Sequence, residues 1–212
     1  MTGRSHLSLD LATPTAPRDP VNDDLVTPVE RKYGPLRRFS STAGVATGMN
    51  PLAENAAGDD NALWTFGWNV HVMAHVYAAR ILIPRYKARG GGYFLNTISA
   101  AGLLSQTGSA VYSTTKHAAV GLAESLAITY GDRGIAVSVV CPQYVATAIT
   151  GLDEKLPGGT LPGVLTVEQA ALAIAEGIEA GRFLILTHPE VLGFFQRKAS
   201  DYDRWVAGMR KL

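Results

Sequence analysis

Apolar and polar positions change their period from block to block along this chain. Between residues 61 and 83, Val70, Met73, Val76 and Tyr77 recur at helical spacing, which predicts one long helix stopping near Pro84. Gly90-Gly91-Gly92 then opens a short apolar run, 93–98, of the kind that forms a buried strand. A second helix is predicted over 112–130 and a β-branched strand over 135–141. Thr166 and Gln169 have capping-box spacing ahead of Val167, Ala170, Ala171, Ile174 and Ile178, and Gly181 ends that helix before a strand at 183–186. This alternation predicts an α/β domain with parallel strands and crossover helices.

The first third is less regular. Residues 1–30 form an irregular N-terminal segment rich in Pro, Asp and Thr, in which only Leu7-Ser8-Leu9-Asp10-Leu11 alternates like a strand. A helix is predicted over 23–33 with Leu25, Val26 and Val29 on one side, and Pro28 is tolerated there only near the first turn. After the Gly34-Pro35 turn, a strand at 36–41 carries Arg37, Arg38, Ser40 and Ser41, where a central parallel strand should be aliphatic.

At 212 residues, 47% hydrophobic and 17% charged, the whole chain reads as one globular domain. Nineteen Lys and Arg against 18 Asp and Glu leave a net charge of +1, which provides no field for a nucleic-acid backbone. The single cysteine, Cys141, excludes an internal disulfide and a cysteine zinc cluster, and suits a reducing cytoplasm. Two charge-free stretches, 91–115 and 134–152, contain Asn96, Ser99 and Gln106, and Pro142, Gln143 and Thr147, which lipid would leave unsatisfied, so neither is expected to span a membrane. Asp10 and Pro14 interrupt any signal-peptide core.

Tyr112 and Lys116 lie four apart on a predicted helix, hence on one face. An ammonium beside a phenol favours the phenolate, which would lower the tyrosine pKa toward an operating range for acid/base work. Upstream, Asn96-Thr97-Ile98-Ser99 ends a predicted strand, on the side where open α/β sheets bind ligands, and the Ser99 hydroxyl could stabilise charge on a substrate oxygen.

Taken together, these segments resemble the short-chain dehydrogenase/reductase family from about residue 29 to the C-terminus. Ser99, followed by Ala110-Val111-Tyr112-Ser113-Thr114-Thr115-Lys116, has the family's separation of Ser, Tyr and Lys, and Asn69 in Trp68-Asn69-Val70-His71 occupies the position of the helix asparagine that completes its tetrad. The resemblance implies a Rossmann-like, doubly wound, mostly parallel sheet and hydride transfer between NAD or NADP and a small-molecule secondary alcohol or ketone. It implies that Ser99 orients the substrate oxygen, Tyr112 is the acid/base, Lys116 tunes Tyr112 and contacts the nicotinamide ribose, and Asn69 holds a relay water. Cys141-Pro142-Gln143-Tyr144-Val145-Ala146-Thr147 is similar to the loop beside the nicotinamide, with Gln143 where Gly is commoner, and Ser41-Thr42-Ala43-Gly44 stands where the family has Asn-Asn-Ala-Gly. Cofactor contacts are therefore implied at Gly44, Tyr112, Lys116, Pro142, Val145 and Thr147. A homodimer or homotetramer is also implied, since in the family the helix of Asn69 lies at a subunit interface.

The family's T-G-x-x-x-G-x-G loop, which seats the pyrophosphate, has no counterpart here beyond two letters in Met1-Thr2-Gly3-Arg4-Ser5. The expectation is an incomplete domain without its first βαβ unit, on the order of 50 residues. Two functions follow: an oxidoreductase working by Ser-Tyr-Lys chemistry, or a catalytically silent relative serving as an oligomerising scaffold. Elsewhere, His71 and His75 are four apart, but with no Glu between them and no third ligand they read as polar positions on a packed helix, and no metal site is expected. His117 reads as structural, and Phe194, Phe195, Tyr202 and Trp205 as packing residues. The Gly- and Pro-rich segment 151–165 is expected to be a mobile lid over an apolar pocket that includes Leu103, Leu104 and Tyr144.

Overall fold

The computed structural model describes residues 23–48, 58–150 and 163–211. The expected strand at 7–11 and most of the expected lid at 151–165 lie outside the described residues. Helix α1 (Asp23–Tyr33) leads to strand β1 (Arg38–Ser41). Helix α2 (Asn61–Trp68), a π-helical segment (Asn69–Met73) and helix α3 (Ala74–Ala88) then run on to strand β2 (Gly92–Thr97). Helix α4 (Ala110–Tyr130) crosses to strand β3 (Ile135–Val140), and the short strands β4 (Tyr144–Val145) and β5 (Val164–Leu165) pair with each other. Helix α5 (Val167–Glu179), strand β6 (Leu184–Ile185) and helices α6 (Glu190–Ser200) and α7 (Tyr202–Met209) complete the described chain.

The main sheet has the order β1-β2-β3-β6 and every pair is parallel, with Ser41 beside Asn96, Thr97 beside Val140, and Val140 beside Ile185. All four strands therefore end at one edge. The core lies between this sheet and helices α3 and α4, where Ala78, Leu82, Tyr86, Phe94, Val120, Ala123 and Val139 pack together. Strand β1, with its arginines and serines, is the outer member of the described sheet and alternates in exposure.

One proline expectation is corrected. The long helix does not stop at Pro84 but continues to Ala88, because Leu82, Ile83 and Tyr86 of that last stretch are all buried. Packing there offsets the lost hydrogen bond, a penalty of about 3 kcal/mol in an isolated helix. The helix expected over 23–33 is found there with Pro28 in its middle, beyond the first turn, while Val26 docks into the core and Glu30 bridges to Arg85 of α3 (2.5 Å) and to Arg89 just past its end (2.6 Å). Those two guanidiniums, with the Leu36 N–H, hold the Glu30 carboxyl down at about 2. The capping box is present as expected: Gln169 N–H donates to Thr166 Oγ1 and Thr166 N–H to Gln169 Oε1. Among the described residues no helix is long and apolar enough to cross a membrane.

Candidate active site

Three of the four candidate catalytic residues converge at the sheet edge. Ser99 stands two residues beyond the end of β2, where its Oγ accepts a hydrogen bond from Ala101 N–H (3.1 Å) and opens a single 3-10 turn, Ala100–Gly102. Ser109 caps α4, accepting from Tyr112 N–H (3.3 Å) and donating to Thr47 O (2.7 Å), so Tyr112 lies in the first turn of that helix. Lys116 follows one turn later, fully buried, with Nζ 5.3 Å from the centre of the Tyr112 ring. The 3-10 turn and α4 cross at Gly102, where a Cβ would come within 2.8 Å of the Lys116 carbonyl oxygen. Only glycine permits that approach, and the approach brings Ser99 to the Tyr112 face of α4.

The electrostatics correct one expectation. Burial raises the Tyr112 phenol above its ordinary value, against a smaller downward pull from the hydrogen bond with Ser99. Lys116 does not lower it: desolvation acts on the lysine too and brings its ammonium down to about 8. Both shifts favour the neutral form, because at these positions the loss of water outweighs an ammonium set over the ring. The buried Cys141 thiol next to this pair is pushed up to about 12, chiefly by burial, which suits the small buried hydrophobe expected.

His71 joins the parts. Its Nε2 accepts from Val45 N–H (3.1 Å), so Nδ1 carries the proton and donates to Thr115 Oγ1 (2.8 Å), which in turn donates to Val111 O (2.8 Å). The ring stands edge-on to Tyr112, with 5.5 Å between centroids. One imidazole thereby ties the Gly44 turn, the π segment and α4 together. His75, one helical turn further on, is buried facing Asn96 and Lys116, and its Nδ1 has no partner. Burial, with Lys116 adding repulsion, lowers His71 to about 3 and His75 to about 4. Among the described residues there is no His/Cys/Asp/Glu group able to hold a metal, and His71 is occupied by protein partners.

Asn69 lies on the π segment whose His71 packs against Tyr112. It is exposed, its side chain makes no hydrogen bond among the described residues, and its carbonyl accepts from Ala74 N–H in the π turn. The candidate cofactor contacts do lie along the strand ends. At Gly44 a Cβ would reach to 3.4 Å from Lys116 Nζ, and Pro142 O accepts from Ala100 N–H (2.7 Å). Val145 O accepts from Thr150 Oγ1 (2.9 Å) and Thr147 Oγ1 (3.3 Å), which closes a compact turn after β4. His188, which sequence reasoning passed over, holds the same loop: Nε2 donates to Tyr144 O (3.0 Å) and Nδ1 accepts from Gln143 N–H (3.3 Å). Its only signal was a polar Thr187-His188 pair immediately after an apolar strand.

Residues 15–155 match the family model described as short chain dehydrogenase. The 3beta-hydroxysteroid dehydrogenase 2 of Eggerthella lenta is 30% identical over 139 residues, covering 64% of this chain and 52% of that protein. The cyclohexanol dehydrogenase of an Acinetobacter species is 31% identical over 127 residues, 58% of this chain and 47% of that one. The crystal structure of a short chain dehydrogenase/reductase from Burkholderia phymatum in complex with NAD superposes with a TM-score of 0.71 at 25% identity, covering 85% of this chain and 71% of that chain. The chain thus spans about half the length of the curated relatives it matches. With Ser99, Tyr112 and Lys116 gathered at the edge of a parallel sheet, and two thirds of its length matching the family model, the chain belongs to the short-chain dehydrogenase family.

Proposed function

We propose that this chain takes part in NAD(P)-dependent interconversion of a secondary alcohol and a ketone through Ser99, Tyr112 and Lys116. The observation that carries the reading is the Lys116 ammonium, which is buried beside the Tyr112 ring, has no protein hydrogen-bond acceptor among the described residues, and is faced by Gly44, whose missing side chain leaves room next to Nζ. A buried, unspent donor beside such a cradle suits a hydroxyl-bearing ligand such as a nucleotide ribose. Residues able to hold a dinucleotide are Lys116, Gly44 and the strand-end positions Pro142, Val145 and Thr147. When bound, the nicotinamide supplies or accepts the hydride.

The rest is work for the chain's own groups. Ser99 Oγ holds the substrate oxygen and takes part of the charge that develops on it. Tyr112, kept protonated by burial, gives its proton to that oxygen in the reductive direction and takes it back in the oxidative one. Lys116 holds the ligand hydroxyl and contributes positive charge below about pH 8. The relatives' names support the substrate class, a hydroxysteroid and cyclohexanol both being secondary alcohols.

The test is titration of the purified chain with NADH and NADPH by nicotinamide fluorescence, followed by turnover on a panel of secondary alcohols and ketones. Saturable binding weakened by Lys116→Ala is expected, as is a loss of roughly 100- to 10,000-fold in turnover in Tyr112→Phe. A folded chain that binds neither cofactor up to about millimolar, a level worth about 4 kcal/mol, overturns the assignment in favour of a scaffold. Near-normal turnover in Tyr112→Phe overturns the mechanism.

A further inference from the structure

Lys198, on α6, is 4% exposed, and among the described residues no carboxylate pairs with it. A buried ammonium without a counter-ion is tolerated only if its donors are satisfied. Here all three are: Nζ donates to Leu103 O (2.7 Å), to Leu104 O (2.8 Å) and to His117 Nε2 (3.3 Å). His117 is set up as the acceptor because its Nδ1–H is used on Ser113 O (2.8 Å). Two rings complete the enclosure, Trp205 at 4.9 Å and Tyr202 at 5.3 Å from Nζ, brought round by the corner between α6 and α7, where Asp201 caps the second helix.

The three acceptors belong to two different elements. Leu103 and Leu104 leave the 3-10 turn that Ser99 opens, whereas His117 is the neighbour of Lys116 on the helix that carries Tyr112. One ammonium from a helix 94 and 95 positions away in sequence therefore spans the joint between the serine's turn and the tyrosine's helix. A second tie crosses the same joint further along, where Gln106 N–H donates to Ser113 Oγ (2.8 Å) and Ser113 Oγ to Gln106 O (3.2 Å).

We propose that Lys198 is a positioning residue which, through the Leu103 and Leu104 carbonyls and His117, fixes Ser99 against Tyr112. The inference rests on the functional reading above for its consequence in turnover, but the clamp itself is a matter of local order. Phosphate, carboxylate or substrate need not reach Lys198, since every donor is already used within the chain. Its place on the face of α6 shared with Val191 and Phe195 accounts for its being overlooked in sequence, where a lysine in an apolar stripe looks like an interruption.

Lys198→Met keeps the aliphatic stem and removes the charge and the three donors. We expect amide hydrogen exchange to quicken at least tenfold at residues 101–106 with little change in β2 and β3, kcat on a secondary alcohol to fall about tenfold, and the NADH or NADPH dissociation constant to stay within twofold. A role in general stability alone would instead raise exchange across the whole chain and leave kcat per folded molecule unchanged, and that result overturns the proposal. Unchanged exchange at 101–106 overturns it as well. Should Lys198→Met not fold, His117→Leu on the exposed side of α4 removes one acceptor and is expected to show the same pattern more weakly, with His117→Gln restoring it; no local change in His117→Leu overturns the clamp. A wild-type chain without turnover leaves the exchange arm to decide the clamp by itself and counts against the functional reading only.

Discussion

Lowering the pH should loosen this fold through two particular imidazoles. His71 and His75 are held at about 3 and about 4, against 6.5 for an unstrained imidazole, by burial and by the neighbouring Lys116. A folded-state pKa below the unfolded one means that the unfolded chain binds more protons, so stability falls as the pH drops below 6.5 and goes on falling toward the folded value. At pH 4 each residue then withdraws about 3 kcal/mol, from roughly 1.4 kcal/mol per pH unit over the interval between 6.5 and 4. Together that is about 6 kcal/mol at most, since the repulsion from Lys116 is shared, against a typical total of about 5–15 kcal/mol. Glu30 also contributes in acid, so a comparison of variants is needed rather than the acid limb of the wild type. His75→Gln keeps an amide facing Asn96 without a titrating proton, and His71→Asn keeps a donor toward Thr115. Urea unfolding at pH 7 and pH 4 should show each variant losing about 3 kcal/mol less than wild type over that interval, a difference on the order of 1 M in midpoint. Equal losses in wild type and both variants would refute the reasoning and place the acid sensitivity elsewhere.

Two further outcomes follow from the packing. Glu30→Gln removes the charge that holds Arg85 and Arg89 to α1, and, with solvent screening of the partly exposed arginines, should cost about 1–2 kcal/mol at pH 7 in urea unfolding. Because the Glu30 pKa is depressed, that difference is present above about 4.5 and should disappear as the pH falls through about 2. Gly102→Ala presses a methyl against the Lys116 carbonyl and Val120, and should lower stability by about 1–3 kcal/mol. It should also reduce turnover per folded molecule, checked by active-site titration with cofactor, because it moves the Ser99 turn away from α4.

Those elements that bury one face with a local period could be read from the residues alone. The strand at 93–98, the helix at 112–130, the β-branched strand at 135–141 and the Thr166 cap are each set by contacts within a few positions, and each is found within a residue or two of where it was expected. Where the reading failed, a distant partner decided. Pro84 was expected to end its helix, and the helix continues because Leu82, Ile83 and Tyr86 gain more from the core than the proline takes from the backbone. His71 was expected as a polar position on a packed helix, but its partners, Val45 and Thr115, lie 26 and 44 positions away and could not be named. His188 and Lys198 act on loops 45 and 95 positions distant. No window of a dozen residues contains such pairings.

The same distinction governs the chemistry. Spacing alone placed Tyr112 and Lys116 on one face of one helix, and the structure keeps them there. Spacing also suggested that the ammonium would lower the phenol, and there it was the wrong guide, because the sign of a pKa shift depends on how much water each group loses when the helix is covered. Lys116 and Tyr112 are covered by parts of the chain remote from them: the turn at Gly44, the imidazoles of the π segment and the strand end at Cys141. Covered in this way the lysine gives up charge before it can stabilise a phenolate, and the tyrosine keeps its proton. A tyrosine that keeps its proton is ready to donate to a ketone oxygen at neutral pH, whereas alcohol oxidation first needs that proton removed. In the proposed reaction, the protonated tyrosine is the state which carbonyl reduction uses.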